Sequence, residues 1–321
     1  MKQIRHRTGA VTEMEQTTAK KNKYEIDMCN GTIMDKLISF SLPLMLSGIL
    51  QLMFNAVDII VVGRFSGSQA LAAVGSTSAL INVFTNLFIG ISLGANVLTA
   101  RFYAAGREKE VSETVHTAIT LALVSGIIMA LVGLVFSKGA LALMGTPDDV
   151  IGLSALYMRI YFLGMPFFML YNYGAAILRA VGDTKRPLLF LMIAGVINAC
   201  LNMVLVIVFK LGVAGVAIAT VISQMISCVL VLRCLCRSES SYRLRFSELG
   251  MKGYYLKQIF SVGVPAGIQS TVINFSNVLL QSSVNSFGST AMAGYTAANN
   301  LLGFLYVSVN SITQACMSFT S

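Results

Sequence analysis

The sequence predicts an all-α polytopic membrane protein: a complete six-helix lobe followed by the first two helices of a second lobe that repeats it in parallel. Three features lead there. Long stretches of chain carry no charge, the Lys and Arg residues gather in alternating loops, and the chain matches itself at an offset of about 222 residues.

The uncharged stretches come first because they set the solvent. Of 321 residues, 55% are hydrophobic and 12% charged, against about 25% charged in a soluble domain, and the mean hydropathy is +0.74. Asp58 is the one charge between Lys36 and Arg64. None lies between Arg64 and Arg101, Arg186 and Lys210, Lys210 and Arg233, or after Lys257. A helix needs about 20 apolar residues to cross a bilayer. Eight spans are therefore expected at 37–63, 70–100, 114–136, 150–176, 187–209, 212–233, 257–284 and 291–321.

Nineteen of the 23 Lys and Arg residues then fall in the tail and in the loops after spans 2, 4 and 6. The opposite loops hold Arg64, Lys138 and Lys210, and Arg159 lies within span 4. Basic loops stay on the cytoplasmic side. The N-terminus is thus expected in the cytoplasm, and the chain as a multi-pass protein of the inner or plasma membrane of the cell. The net charge of +9 reports this topology and the lipid bilayer as partner, not nucleic acid, for which no module is present.

The repeat sets the domains. Leu42-Pro43 falls on Val264-Pro265 and Asn55 on Asn277. One residue fewer lays Gly67-Ser68 on Gly288-Ser289, Ala70-Leu71-Ala72 on Ala291-Met292-Ala293 and Thr99 on Thr320. Six spans separate the copies, so both share one orientation, a design of secondary transporters. This divides the chain into a polar cytoplasmic tail (1–36), a first lobe (37–236), a cytoplasmic linker (237–256) and an incomplete second lobe (257–321). A second lobe as long as the first would need roughly four more helices. The expectation is a fragment, inactive as it stands, whose last two helices turn an Asn-rich face (Asn274, Asn277, Asn299, Asn300, Asn310) to lipid. Met14 and Met28 are alternative starts.

Several chemistries are unsupported. There is no G-x-x-x-x-G-K-[ST] loop for a nucleotide, no acyl- or phosphoryl-transfer constellation, and no metal-ligand spacing around His6 or His116. An enzyme, a nucleotide and a cofactor are not expected. The six cysteines lie in the tail, the spans or a cytoplasmic helix end, where no disulfide forms. Cys234 and Cys236, beside Arg233 and Arg237, suit palmitoylation, although juxtamembrane cysteines commonly carry no lipid.

Of fourteen carboxylates, Asp58 alone lies deep in a span. A charge there costs about 2.5–3.5 kcal/mol on insertion scales, which marks it as functional; the alternative is an Asp that caps or pairs near the outer end. Gln51, Asn55 and Asp58, at i, i+4 and i+7, share one helix face. At 1.5 Å per residue, Asp58 sits about 8 Å, Asn202 about 11 Å and Thr220 about 12 Å below the outer ends of their spans, with Asn198 about 6 Å deeper than Asn202. These oxygens suit a hard cation such as Na⁺, or an Asp that accepts a proton. Interhelical hydrogen bonding that merely joins the bundle accounts equally for Asn198, Asn202 and Thr220.

Several runs resemble the multidrug and toxic compound extrusion (MATE) family, in its bacterial DNA-damage-inducible-type branch. They are Leu42-Pro43 with Val57-Asp58-Ile59-Ile60-Val61-Val62-Gly63-Arg64, Ala70-Leu71-Ala72-Ala73-Val74, Arg101 with Ala105-Gly106-Arg107, Arg179 to Pro187, and Gly212 to Thr220. The resemblance implies twelve helices in two lobes around a central cleft. It also implies efflux of small-molecule drugs or organic cations in antiport with H⁺ or Na⁺. By motif position it places the coupling site at Asp58, Asn198 and Thr220. Asn202 departs from the pattern, since many members have Asp there, which favours a single-carboxylate proton or weak-cation mechanism. Leu280 replaces Asp58 in the second copy, so coupling is expected in the first lobe alone. Candidates for lining the cleft are Gln51, Asn55, Asn172, Tyr173, Asn277, Asn299 and Asn300. Two other readings are a lipid-linked oligosaccharide flippase of the same superfamily and a non-transporting membrane remnant.

Overall fold

The computed structural model describes residues 33–143, 148–285 and 289–320, apart from the side chains of 277–301 and a few isolated positions. The expected tail up to residue 32 lies outside them. The described chain forms α1 (Ile33–Phe65), α2 (Ser68–Ala104), α3 (Glu108–Leu143), α4 (Asp148–Leu163), α5 (Met165–Ala180), α6 (Lys185–Asn202), α7 (Gly212–Cys236), α8 (Gly253–Asn285) and α9 (Ser289–Thr320). A π-helical turn, Met203–Val208, continues α6, and a 3-10 turn, Phe246–Glu248, lies in the linker. No strand occurs among the described residues.

The fourth span departs from expectation. It is two helices, α4 and α5, bent by 49° at Gly164. Pro166 has no N–H to give the preceding turn, and Gly164 lends its carbonyl to the N–H groups of both Phe167 and Phe168. Pro43 and Pro265 lie inside unbroken helices, so the proline alone does not break the span. The bend needs space on α3. A Cβ at Gly126 would meet the Pro166 backbone, and one at Gly133 the Phe162 ring.

Among the described residues, α1, α2, α3, α6 with its π turn, and α7 are long and apolar enough to cross a membrane, and the bent pair makes a sixth span. The helices α8 and α9, at 33 and 32 residues, are long enough to cross but are not in that apolar set. They pack on the first lobe. Of the expected Asn-rich face, Asn274 is half-buried and donates its amide to Ser270 O of its own helix, Asn310 is exposed, and the side chains of Asn277, Asn299 and Asn300 lie outside the described residues.

The first helix of each copy pairs with the second helix of the other, α1 with α9 and α8 with α2. The α2–α8 crossing brings Gly90 and Gly94 against Gly267 and Gly263; a Cβ at Gly90 would land on the Gly267 backbone, and one at Gly94 on Ile259 O. Paired small-x-x-x-small stripes allow such close approach. At the α1–α9 pairing, Gly48 faces Val307, and Phe40 and Leu44 close over Ala315. Ser318 of α9 donates to Asn96 Oδ1 at 3.1 Å, and Asn96 Nδ2 donates to Ala176 O at 2.8 Å, which ties α9 through α2 to α5. Met165, Met169, Tyr173, Ile177 and Leu178 of α5 are fully buried at the centre of the lobe.

Candidate functional site

Three helices of the first lobe bring polar side chains together in an apolar surround. The Phe54 ring of α1 lies over Gly195 of α6, where a Cβ would overlap it. This seats Asp58, one turn beyond Phe54, beside Asn198 and Asn202. A tight connection then returns the chain into α7, with Lys210 and Gly212 at positive φ (53° and 55°), and sets Thr220 alongside α6. Asn202 is the last α-helical residue before the π turn; such local widening often marks functional positions in helices.

The four side chains form one hydrogen-bonded chain. Asn202 Nδ2 donates to Asp58 Oδ1 and, at 3.1 Å, to Asn198 Oδ1. Asn198 Nδ2 donates to Thr220 Oγ1 at 3.5 Å, and Thr220 Oγ1 donates to Val216 O at 3.0 Å. Asn202 is fully buried and Asn198 nearly so. Asn202 Oδ1 is buried without a hydrogen-bond partner among the described residues. Such an atom costs about 1–3 kcal/mol unless something meets it. No ion pair to Asp58 occurs among the described residues. The oxygens at hand, from a carboxylate, two amides and a hydroxyl, are the hard donors that Na⁺ prefers, and the vacant acceptor of Asn202 suits a cation or the O–H of a protonated acid.

Tyr157 and Tyr161 of α4, stacked with ring centroids 6.1 Å apart, also lie within electrostatic reach of Asp58. They escape a reading of the sequence because aromatic residues one turn apart on an apolar helix look like packing. Their hydroxyls three helices away in the chain carry no local signal.

The proposed cleft residues separate. Gln51 and Asn55 are exposed on α1. Tyr173 does not line a cleft: its ring is fully buried, because the adjoining Gly174 lets α7 close in until Val231 occupies the place of a Cβ. Asn172 spends its amide on Phe168 O of its own helix, at 2.8 Å. Asn277, Asn299 and Asn300 lie on α8 and α9, their side chains outside the described residues.

A bundle of long apolar helices with a half-buried acid joined to two buried amides defines a helical integral membrane protein built on a parallel repeat. The MatE family profile matches residues 43–204, half of the chain, and this protein belongs to that family. It is 35% identical over 291 residues to "Probable multidrug resistance protein YoeA" of Bacillus subtilis (strain 168), covering 88% of this chain and 62% of that protein. It is 29% identical over 276 residues to "Probable multidrug resistance protein YpnP" of the same strain, covering 86% and 61%. The chain thus spans about three fifths of the length of these relatives. In fold it is similar to a solved multidrug resistance MATE family transporter of the MOP superfamily in an outward-facing conformation, with a TM-score of 0.86 at 22% identity over 94% of this chain and 67% of that one.

Proposed function

We propose that this protein is part or all of a secondary efflux transporter that exports small-molecule drugs or organic cations in antiport with H⁺ or Na⁺, with its N-terminus in the cytoplasm and Asp58 as the group that exchanges the ion. The observation that carries the reading is the vacant, buried Asn202 Oδ1 beside the one carboxylate deep in a span. A charged Asp58 is satisfied by the Asn202 N–H. A protonated Asp58 has an O–H to donate, and a half-turn of the Asn202 amide presents Oδ1 to receive it. A matching half-turn of Asn198 then offers its Nδ2 to Asn202 and its Oδ1 to the Thr220 hydroxyl. The pair accommodates both charge states without moving a helix, as a group that loads and unloads an ion in each cycle requires. Na⁺ would draw on Asp58, Asn198, Asn202 and Thr220 and would supply the same neutralisation. The relatives named as multidrug resistance proteins support the substrate class, and the basic cytoplasmic loops support the orientation.

The test is dye export against a gradient from proteoliposomes under imposed H⁺ or Na⁺ gradients, on the chain and on a form lengthened to the span of its relatives. Asp58→Asn is expected to abolish uphill export while leaving the thermal unfolding midpoint within a few degrees. Export by Asp58→Asn at the unaltered rate would overturn the assignment.

A further inference from the structure

The linker between α7 and α8 is not a loose tether. Tyr242 is fully buried and meets Tyr103 edge-on at 6.4 Å, and Leu244, nearly buried, donates its N–H to Leu235 O at 3.2 Å. Three further bonds fasten the segment to the cytoplasmic end of α3. Lys252 N–H donates to Thr117 Oγ1 at 3.4 Å, Lys252 Nζ pairs with Glu113 at 2.5 Å, and Arg245 N–H donates to His116 Nε2 at 3.0 Å. The last of these depends on charge. The His116 ring is only 5% exposed, and its Nδ1 lies 2.6 Å from Ser112 O. A carbonyl can only accept, so Nδ1 carries the proton. A backbone N–H can only donate, so Nε2 carries the lone pair. Backbone groups on two elements therefore fix His116 as the neutral Nδ1–H tautomer.

We propose that His116 is a pH-sensitive catch that holds the inter-lobe linker on the first lobe, and that proton uptake from the cytoplasm frees the linker at Arg245. Protonation places a hydrogen on Nε2 facing the Arg245 N–H. The bond is lost, and two buried donors are left opposed. The charged ring has a partner close by, since Glu248 Oε2 lies 3.9 Å from Nε2 while its Oε1 is held by Arg245 Nη1 at 2.8 Å. Arg245 and Glu248 both belong to the linker, so the pair between Glu248 and the imidazolium offsets part of the new charge while the linker is docked and works against the lost Arg245 bond.

The other charged groups around the cavity at the ring are Lys109 and Glu113 of α3 and Lys252 of the linker, with Tyr255 of α8 bonded to Glu113. The Arg245 hydrogen bond holds the Glu248 carboxyl below the usual carboxylate range, so it is lost only in stronger acid. Imidazole is the side chain that changes charge between about pH 5 and 8. A cavity of about 430 Å³, lined by His116, Ser112, Glu248 and Lys252, gives water access to the ring. Gly250 stands in open space between Arg245 and the still-fastened Lys252, so the stretch around Ser247 can lift while the start of α8 stays in place. The consequence for export rests on the function proposed above; the release itself does not.

The test uses the full chain in lipid nanodiscs, its native cysteines replaced, with spin labels on Glu108→Cys and Ser247→Cys. Distances are read as pH falls from about 8 to 5. One transition is expected from a short, narrow distance to a longer, broader one, the closed-to-open ratio falling about tenfold per pH unit below the midpoint. His116→Gln offers Arg245 an acceptor that cannot take a proton, and should stay short throughout. Glu248→Gln removes the linker carboxylate that steadies the charged ring only in the docked state, and should move the midpoint to higher pH. Because Glu248 is exposed, that variant decides the matter even where His116→Gln fails to fold. The proposal is overturned by a distance that ignores pH, by the same transition in His116→Gln, or by an unmoved or lowered midpoint in Glu248→Gln.

Discussion

Replacing Gly90 and Gly94 together by Leu should undock α8 from the first lobe. At both positions the obstacle is backbone, not a side chain that could rotate: Gly267 Cα and N face Gly90, and Ile259 O and Gly263 N face Gly94. Overpacking costs about 1–3 kcal/mol per site, and the upper end applies where backbone must move, giving about 6 kcal/mol for the pair. Leu is a better helix former than Gly by roughly 1 kcal/mol per site, which offsets about 2. The net of about 4 kcal/mol is close to a thousandfold in the docking equilibrium. Hydrogen exchange followed by mass spectrometry in detergent reads it directly. Amides of 253–270 should exchange faster by two to three orders of magnitude, while those of α5 keep their protection. Gly139→Leu, at a glycine with nothing within 4 Å, serves as the control and should leave α8 unchanged. Exchange of α8 in the double variant within twofold of the unaltered protein would refute the close crossing.

Other expectations concern the site, the bend and the topology. Asn202→Leu removes the donor to both Asp58 and Asn198 and should destabilise the first lobe by about 1–3 kcal/mol, visible as a lowered thermal unfolding midpoint; no change would mean that the chain of bonds contributes nothing. Gly133→Leu should cost about 1–3 kcal/mol in the same assay, since Phe162 fills the space. A cysteine at Lys210 should react with a membrane-impermeant maleimide on intact cells and one at Ser247 only after permeabilisation; the reverse pattern would invert the topology.

Some of this architecture is legible in the sequence because bilayer physics is one-dimensional. Asp58 stands out as a lone carboxylate in an apolar run. Counting helical rise from the span ends brings Asn202 and Thr220 to its level, and the structure joins all three with Asn198. The bend in the fourth span is not legible: Gly164-Met165-Pro166 shares its glycine two residues before the proline with Gly263-Val264-Pro265, which lies in an unbroken helix, and the space the bend needs comes from Gly126 and Gly133 of another helix. Tyr173 misleads because its polar tip suggests a cleft, whereas Gly174-Ala175-Ala176 beside it promotes close packing that buries the ring. His116 gives no hint at all. Its partner is a backbone N–H 129 residues away, and a main-chain donor leaves no trace in residue identities.

The central claim is that Asp58 exchanges an ion while Asn202 serves both of its charge states, and it can be measured on the first lobe without any transport cycle. Infrared difference spectra of the purified chain in lipid, recorded between acid and alkaline pH and with or without Na⁺, report the carboxyl stretch of a protonated acid within the bundle. One such band should appear on acidification, shift in Asn202→Leu as its hydrogen-bond partner is lost, and vanish in Asp58→Asn. A band that survives in Asp58→Asn, or a spectrum in which neither acid nor Na⁺ alters any buried carboxyl, would contradict it.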